Sequence, residues 1–282
     1  MLPTEEHIRS NPDVPSTPLL EILDSLRRDP TIASGVTDND PFNKIPDGFL
    51  KRVEPAHLVP YLSQFRVRPD PEDLRQKTAE MMYTCAYVLG AAQRPGKREK
   101  MDFVTLHSVT LAVFYPAILR LDWLSDDQKA RMLQAKVHVD AVMYAGCGSP
   151  SLHPERILSY APKQPSDGWP ELFHRAIVYR DEGHAAKLIR ALFCLDQLEE
   201  PVPDGFPIAK KDFVKIAHMA MDSIEASLEP DGHNTPKEIS QAVLKRVGYG
   251  GEMVLNNTIR WVFYGGLKSA WRYVPDKIGE QT

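Results

Sequence analysis

What restricts this chain most is the period of its apolar residues from Asp70 onward. Run after run repeats at three- and four-residue spacing, and the two-residue alternation of a half-buried strand is nearly missing. Residues patterned this way must bury helical stripes against one another. The expected fold is therefore all-α, an irregular multi-helix bundle. The runs fall at Pro71 to Ala92, Met101 to about Leu121, Ser125 to about Ala145, Lys210 to Leu228, Pro236 to Val247 and Gly251 to Tyr273, with a short helix within 153–163. In the first, Leu74, Met81, Met82, Cys85, Val88 and Leu89 are the expected core. The Met101 run is apolar almost all round, which predicts a buried core helix. Gly146-Cys-Gly-Ser-Pro150 reads as a helix stop, since no strand precedes it and no Lys-Ser/Thr follows. The last run carries Trp261, Phe263, Tyr264, Trp271 and Tyr273, a core stripe or the wall of a pocket for a flat aromatic ligand.

The first seventy residues read differently. Pro3, Pro12, Pro15, Pro18, Pro30, Pro41 and Pro46 interrupt them, and each removes a backbone donor. One helix is expected from Thr17 to Arg28, capped by Ser16 or Thr17, with Leu19, Leu20, Ile22, Leu23 and Leu26 facing a partner surface; another is expected from about Pro55 to Phe65. The division that follows is a Pro-rich N-terminal arm over 1–70, laid across a helical domain over 71–282.

Composition serves mainly to exclude. With 43% hydrophobic and 26% charged residues over 282 positions, the chain can bury a sizeable core. A net charge of -4 and a pI near 6.1 argue against nucleic acid as a partner, which demands a basic surface. Cys85, Cys147 and Cys194 are far apart and in no metal-ligand spacing. They fit buried free thiols in a reducing compartment. Neither a signal-peptide pattern nor a membrane span is read in these residues, so the expected location is the cytoplasm. No Gly-x-Gly-x-x-Gly follows a strand, so no flavin or dinucleotide fold is expected.

Two histidines stand apart from the other seven, His7, His57, His138, His153, His174, His218 and His233, which lie mainly in polar or loop contexts. His107 sits in the apolar Met101 run, with Leu111 and Phe114 one and two turns on, and is expected to face the core. His184 follows Gly183 on a helical run that also carries Lys187 and Arg190. On a wheel it falls beside Leu188, Ala191 and Leu195, and Lys187 lies on the flank of that face. A structural account is open for both, as hydrogen-bonded core histidines with Asp181, Lys187, Arg190 and Asp196 forming a solvated charge ladder. The chemical alternative makes His107 and His184 metal ligands projected from facing helices. Lys187 would then be a base, a cation for an enolate or phenolate, or a third, oxygen-bearing ligand after carbamylation.

Asp167-Gly-Trp169, followed by Asp181-Glu-Gly-His-Ala-Ala-Lys-Leu-Ile-Arg-Ala-Leu192, resembles the signature of the questin oxidase family. Met101-Asp-Phe-Val-Thr-Leu-His-Ser-Val-Thr110 is similar to a second family segment, and the block from Leu124 through Tyr144-Ala-Gly to Ser149-Pro-Ser-Leu152 to a third. The resemblance implies a fungal oxidoreductase of secondary-metabolite biosynthesis. Such an enzyme performs Baeyer–Villiger-type oxygen insertion or oxidative ring cleavage on an aromatic polyketide, an anthraquinone or xanthone. It implies NADPH as cofactor. The histidines themselves, rather than the resemblance, make non-haem iron a further candidate at His107, His184 and Lys187, and on the oxidase reading His184 and Lys187 are the expected catalytic residues. Members of that family are longer and carry an N-terminal His-Pro-x-x-His stretch, a motif these residues lack. The contrasting expectation is a shortened, catalytically silent helical protein that binds a polyketide or a partner subunit.

Overall fold

The computed structural model describes residues 2–228 and 260–277, which are helical with no strand among them; two isolated bridges, Lys97 with Asp276 and Asp102 with Val262, are their extended pairings. The helices are α1 (Leu2–Ser10), α2 (Leu19–Arg28), α3 (Pro30–Ala33), α4 (Leu50–Arg52), α5 (Pro55–Leu62), α6 (Pro71–Ala91), α7 (Phe103–Ala112), α8 (Tyr115–Leu119), α9 (Asp126–Gly146), α10 (Pro154–Leu158), α11 (Trp169–Val178), α12 (His184–Asp196) and α13 (Phe213–Glu225). The expected all-α fold is the observed one.

Helix α6 is the axis. Asp70 caps it by accepting from Asp73 N, and nearly its whole length is buried because its apolar residues cover all sides. Helices α7, α9, α10, α12 and α13 pack round it, and α12 also packs on α7, α11 and α13. A reciprocal capping box between Ser125 and Gln128 starts α9. At the far end, Cys147 caps α9 and Gly148 turns at φ 87°, the helix stop read from the Gly-Cys-Gly run. All six expected core residues of α6 are buried.

The N-terminal residues contribute to the same core. Leu19, Ile22, Leu23 and Leu26 are buried and Leu20 packs against them. Pro18, rather than Ser16 or Thr17, occupies the N-cap of α2. Those two residues have other partners, because Thr17 N donates to Gln64 O at 2.9 Å and Ser16 Oγ accepts from Arg66 N at 3.0 Å. Further on, His138 on α9 donates from Nε2 to Leu62 O at 3.0 Å.

Three expectations are corrected. The Met101–Leu121 run is two helices, α7 and α8, since Pro116 cannot donate into a continuous ladder. The second is the helix expected to reach Tyr273: from 261 to 267 the chain is extended and turned, and only Lys268–Trp271 winds again, as a short 3-10 turn. Val262 pairs with Met101 and Phe103, and Asp102 accepts from Gly265 N. Gly266 lies so close to Gly148 that a Cβ there would meet Gly148 O at 2.3 Å. These groups take the hydrogen bonds a helix would use, and the Gly265-Gly266 pair lowers helix propensity. The expected Pro236–Val247 helix and the start of the Gly251 run lie outside the described residues. Third, His138 and His218 are buried rather than in polar surroundings.

Candidate functional site

Residues 167–184, which carry the signature, fold as clamps. Asp167 pairs with Arg175 at 3.1 Å, and Arg175 also holds Asp222 at 2.6 Å and Glu225 at 2.7 Å. Glu225 and then Asp222 push the guanidinium pKa above its ordinary value, against the opposing effect of burial. Trp169 Nε1 donates to Asp196 at 3.2 Å. Gly183 takes the left-handed φ of 84°, where a side chain would be strained. Asp181 then accepts from Gly183 N at 2.7 Å and Ala185 N at 2.8 Å, capping α12. Glu182 faces Arg260 at 3.3 Å, and Arg260 is further fixed by Tyr179 Oη and Arg180 O.

His184 is the signature residue left over. Its Nδ1 is buried without a hydrogen-bond partner among the described residues, and Glu182 Oε2 stands 3.8 Å away, too far for a hydrogen bond. Burial, then Lys187 and His107 nearby, lowers its pKa below the ordinary 6.5, so it is a neutral base near pH 7. Phe103, at the first turn of α7, stacks its ring 4.9 Å from His184, 4.9 Å from His107 and 4.9 Å from Phe263. The two imidazoles lie 5.7 Å apart, near-perpendicular. Trp261 and Phe42 extend the aromatic cluster through Phe103 and Phe263. Of the C-terminal aromatics, Trp261 and Trp271 are core, as one of the two expectations had it, while Phe263, half-buried, packs on Phe103.

The sequence brought His107, His184 and Lys187 to one place, and the structure does too, but at the surface. His107 is exposed, not core-facing, as are Leu111 and Phe114 on its face. An almost uniformly apolar helix has no moment to orient it, so a wheel cannot say which side turns inward. His107 Nδ1 is 2.7 Å from Phe103 O; a carbonyl only accepts, so Nδ1 is the donor. Lys187 is exposed as well, and serves as a positive charge beside His184 rather than a group forced into a core. Asp181, Glu182 and His184 offer ligand atoms within 4.8 Å of one another. That carboxylate–imidazole set differs from the His107–His184–Lys187 set expected from sequence.

One polar cluster escaped the sequence reading. Lys136 is buried against Asp140 and Ser108 O, and Cys85 Sγ donates to Asp140 at 3.2 Å. Desolvation raises the Asp140 and Cys85 pKa values. A signal existed, because Leu133, Lys136, Val137, Asp140, Ala141 and Tyr144 form one unbroken helical stripe, and all are buried.

Fold and site together define an all-α protein with a histidine pair set in aromatic rings behind an Asp-Gly-Trp clamp. The sequence model of the family described as questin oxidase-like matches residues 2–192, and the chain belongs to that family. It is 42% identical over 275 residues to oxidoreductase AflY of Aspergillus parasiticus, covering 97% of this chain and 55% of that protein. It is 35% identical over 226 residues to the Baeyer-Villiger oxidase AgnL3 of Paecilomyces divaricatus, covering 78% and 49%. Against the questin oxidase of Aspergillus fumigatus it is 35% identical over 216 residues, covering 74% and 47%. The chain spans about half the length of the curated relatives it matches. No helix among the described residues is long and apolar enough to cross a membrane.

Proposed function

We propose that this chain acts as an oxidoreductase of the Baeyer–Villiger type on an aromatic polyketide of the anthraquinone or xanthone class. The observation that carries the proposal is the His184 ring, neutral, with a buried unpartnered nitrogen, against Phe103 and beside His107. The edges of Phe103 and Phe263 suit the flat face of a polycyclic substrate. Closing the 3.8 Å gap to Glu182 would orient His184 as a carboxylate-backed base, leaving Nε2 to take the proton of a substrate phenol or hydroperoxide. His107, its ring 5.7 Å away, would relay that proton outward, and Lys187 would stabilise negative charge developing on the carbonyl oxygen. In proton and electron balance, ketone, dioxygen, NADPH and a proton give ester or lactone, NADP+ and water.

NADPH belongs to this proposal through the family alone. The donor chemistry of Asp181, Glu182 and His184 fits a divalent ion such as non-haem iron, which when bound would supply oxygen activation. Lys187 fits that role less well, since an exposed ammonium has no lone pair to offer. The test is turnover of an anthraquinone with NADPH and oxygen, comparing wild type with His184→Ala and Lys187→Ala. Loss in both with unchanged helical circular dichroism supports the assignment. Retained turnover in either variant removes that residue from the site.

A further inference from the structure

Apart from the histidine pair, a cavity of about 510 Å3 opens between the end of α2, the loop after α6 and the turn after α9. Arg27, Arg94 and His153 line it, and no carboxylate does. Arg27 is tied to Asp24 at 2.8 Å and His153 to Glu155 at 3.1 Å. Arg94 pairs with no carboxylate among the described residues, so its full charge is available to the cavity. Ser149, also in the lining, is only 6% exposed, and its Oγ is buried without a hydrogen-bond partner. A buried hydroxyl left unpaired costs about 1–3 kcal/mol, a cost a ligand oxygen would remove once a turn about χ1 brings Oγ to the cavity wall. One wall is bare backbone, where Gly148 and Gly266 approach so closely that a Cβ on either would be crowded.

We propose that this cavity binds a phosphomonoester, with the Arg94 guanidinium forking onto two phosphate oxygens and Ser149 Oγ donating to the third. The chemistry follows from the lining. Phosphate carries up to two negative charges on oxygens that only accept, and every charged group here is a donor. Inorganic phosphate would fill a small part of the volume, so the remainder accommodates the organic group of the ester. The site uses none of the residues assigned to catalysis, so it stands or falls independently of the function proposed above.

Isothermal titration calorimetry on the full chain tests it, with inorganic phosphate, adenosine 2′-monophosphate, and adenosine as the uncharged control. Both phosphates are expected to bind and adenosine not. Arg94→Ala should weaken binding about tenfold or more, and Ser149→Ala about fivefold. Arg94→Lys, which keeps the charge but not the fork, should fall between wild type and Arg94→Ala. Tighter binding of the nucleotide identifies an ester as the occupant. Equal affinity would overturn the ester and leave a free-phosphate site. Failure of both phosphates to bind, adenosine binding as tightly as its phosphate, or affinities unchanged in well-folded Arg94→Ala and Ser149→Ala would overturn the site itself.

Discussion

Acid should loosen this protein through His138, and the size of the effect can be worked out from its surroundings. The imidazole is buried on α9, and desolvation, outweighing its hydrogen bond to Leu62 O, lowers its pKa from 6.5 to about 4. In the unfolded chain the ring takes up a proton below pH 6.5, whereas the folded protein resists until about pH 4. The unfolded state therefore binds more protons across that window, so stability is full above 6.5 and is lost as pH falls toward 4. By about pH 5 the loss amounts to about 2 kcal/mol, approaching about 3 kcal/mol at the acid end. Other groups titrate too, so the informative quantity is a difference. His138→Gln keeps a donor in reach of Leu62 O and cannot charge. Urea unfolding followed by circular dichroism, at about pH 8 and about pH 5, should show wild type losing about 2 kcal/mol more than the variant. Equal losses in both proteins would refute the reasoning, since the buried ring would then contribute nothing to the acid limb.

Other outcomes are expected from the same geometry. Lys136→Met alone should cost about 3–5 kcal/mol by leaving Asp140 buried without its counter-charge, whereas Lys136→Met with Asp140→Leu should recover most of that in thermal unfolding. Gly266→Ala should lower the unfolding midpoint strongly, by about 2 kcal/mol or more, because its Cβ would meet Gly148 O at 2.3 Å. If His184 is the base, the acid limb of kcat/KM lies below pH 6.5, since burial lowers its pKa and activity disappears as the ring protonates; a limb above 6.5 would exclude it. Native protein should alkylate at half-exposed Cys194 before buried Cys85 and Cys147, whose thiols burial holds well above their ordinary pKa, while urea should equalise all three by mass spectrometry.

The helical architecture was legible because long segments with strong period leave few alternatives, and α6 and α9 fall within a residue of their expected limits. What failed had local physical causes. Around 261–273 the aromatic spacing looks helical, but Asp102, Cys147 and the Gly148–Gly266 approach capture the backbone, and those are contacts between residues far apart in the chain. For His107 the helix was too evenly apolar to reveal its buried side. Lys136 and Asp140 were passed over because an i,i+4 Lys–Asp pair reads as a solvated face, although their neighbours' spacing placed them inward.

The signature stretch shows why a motif and a site are not the same thing. Asp167, Trp169, Asp181 and Gly183 are accounted for by structure alone: an ion pair to Arg175, an indole hydrogen bond to Asp196, a helix cap and a left-handed turn. Glu182 is held by Arg260. Residues committed in this way fix where α12 begins, and hence where its first side chain points. That side chain is His184, whose buried Nδ1 none of these clamps satisfies. An unsatisfied polar atom is costly, and a well-clamped helix start could readily have supplied it a partner. The clamps therefore read as support and His184 as the group supported. Substituting Asp181 or Trp169 should accordingly lower activity together with stability, whereas His184→Ala should lower activity alone.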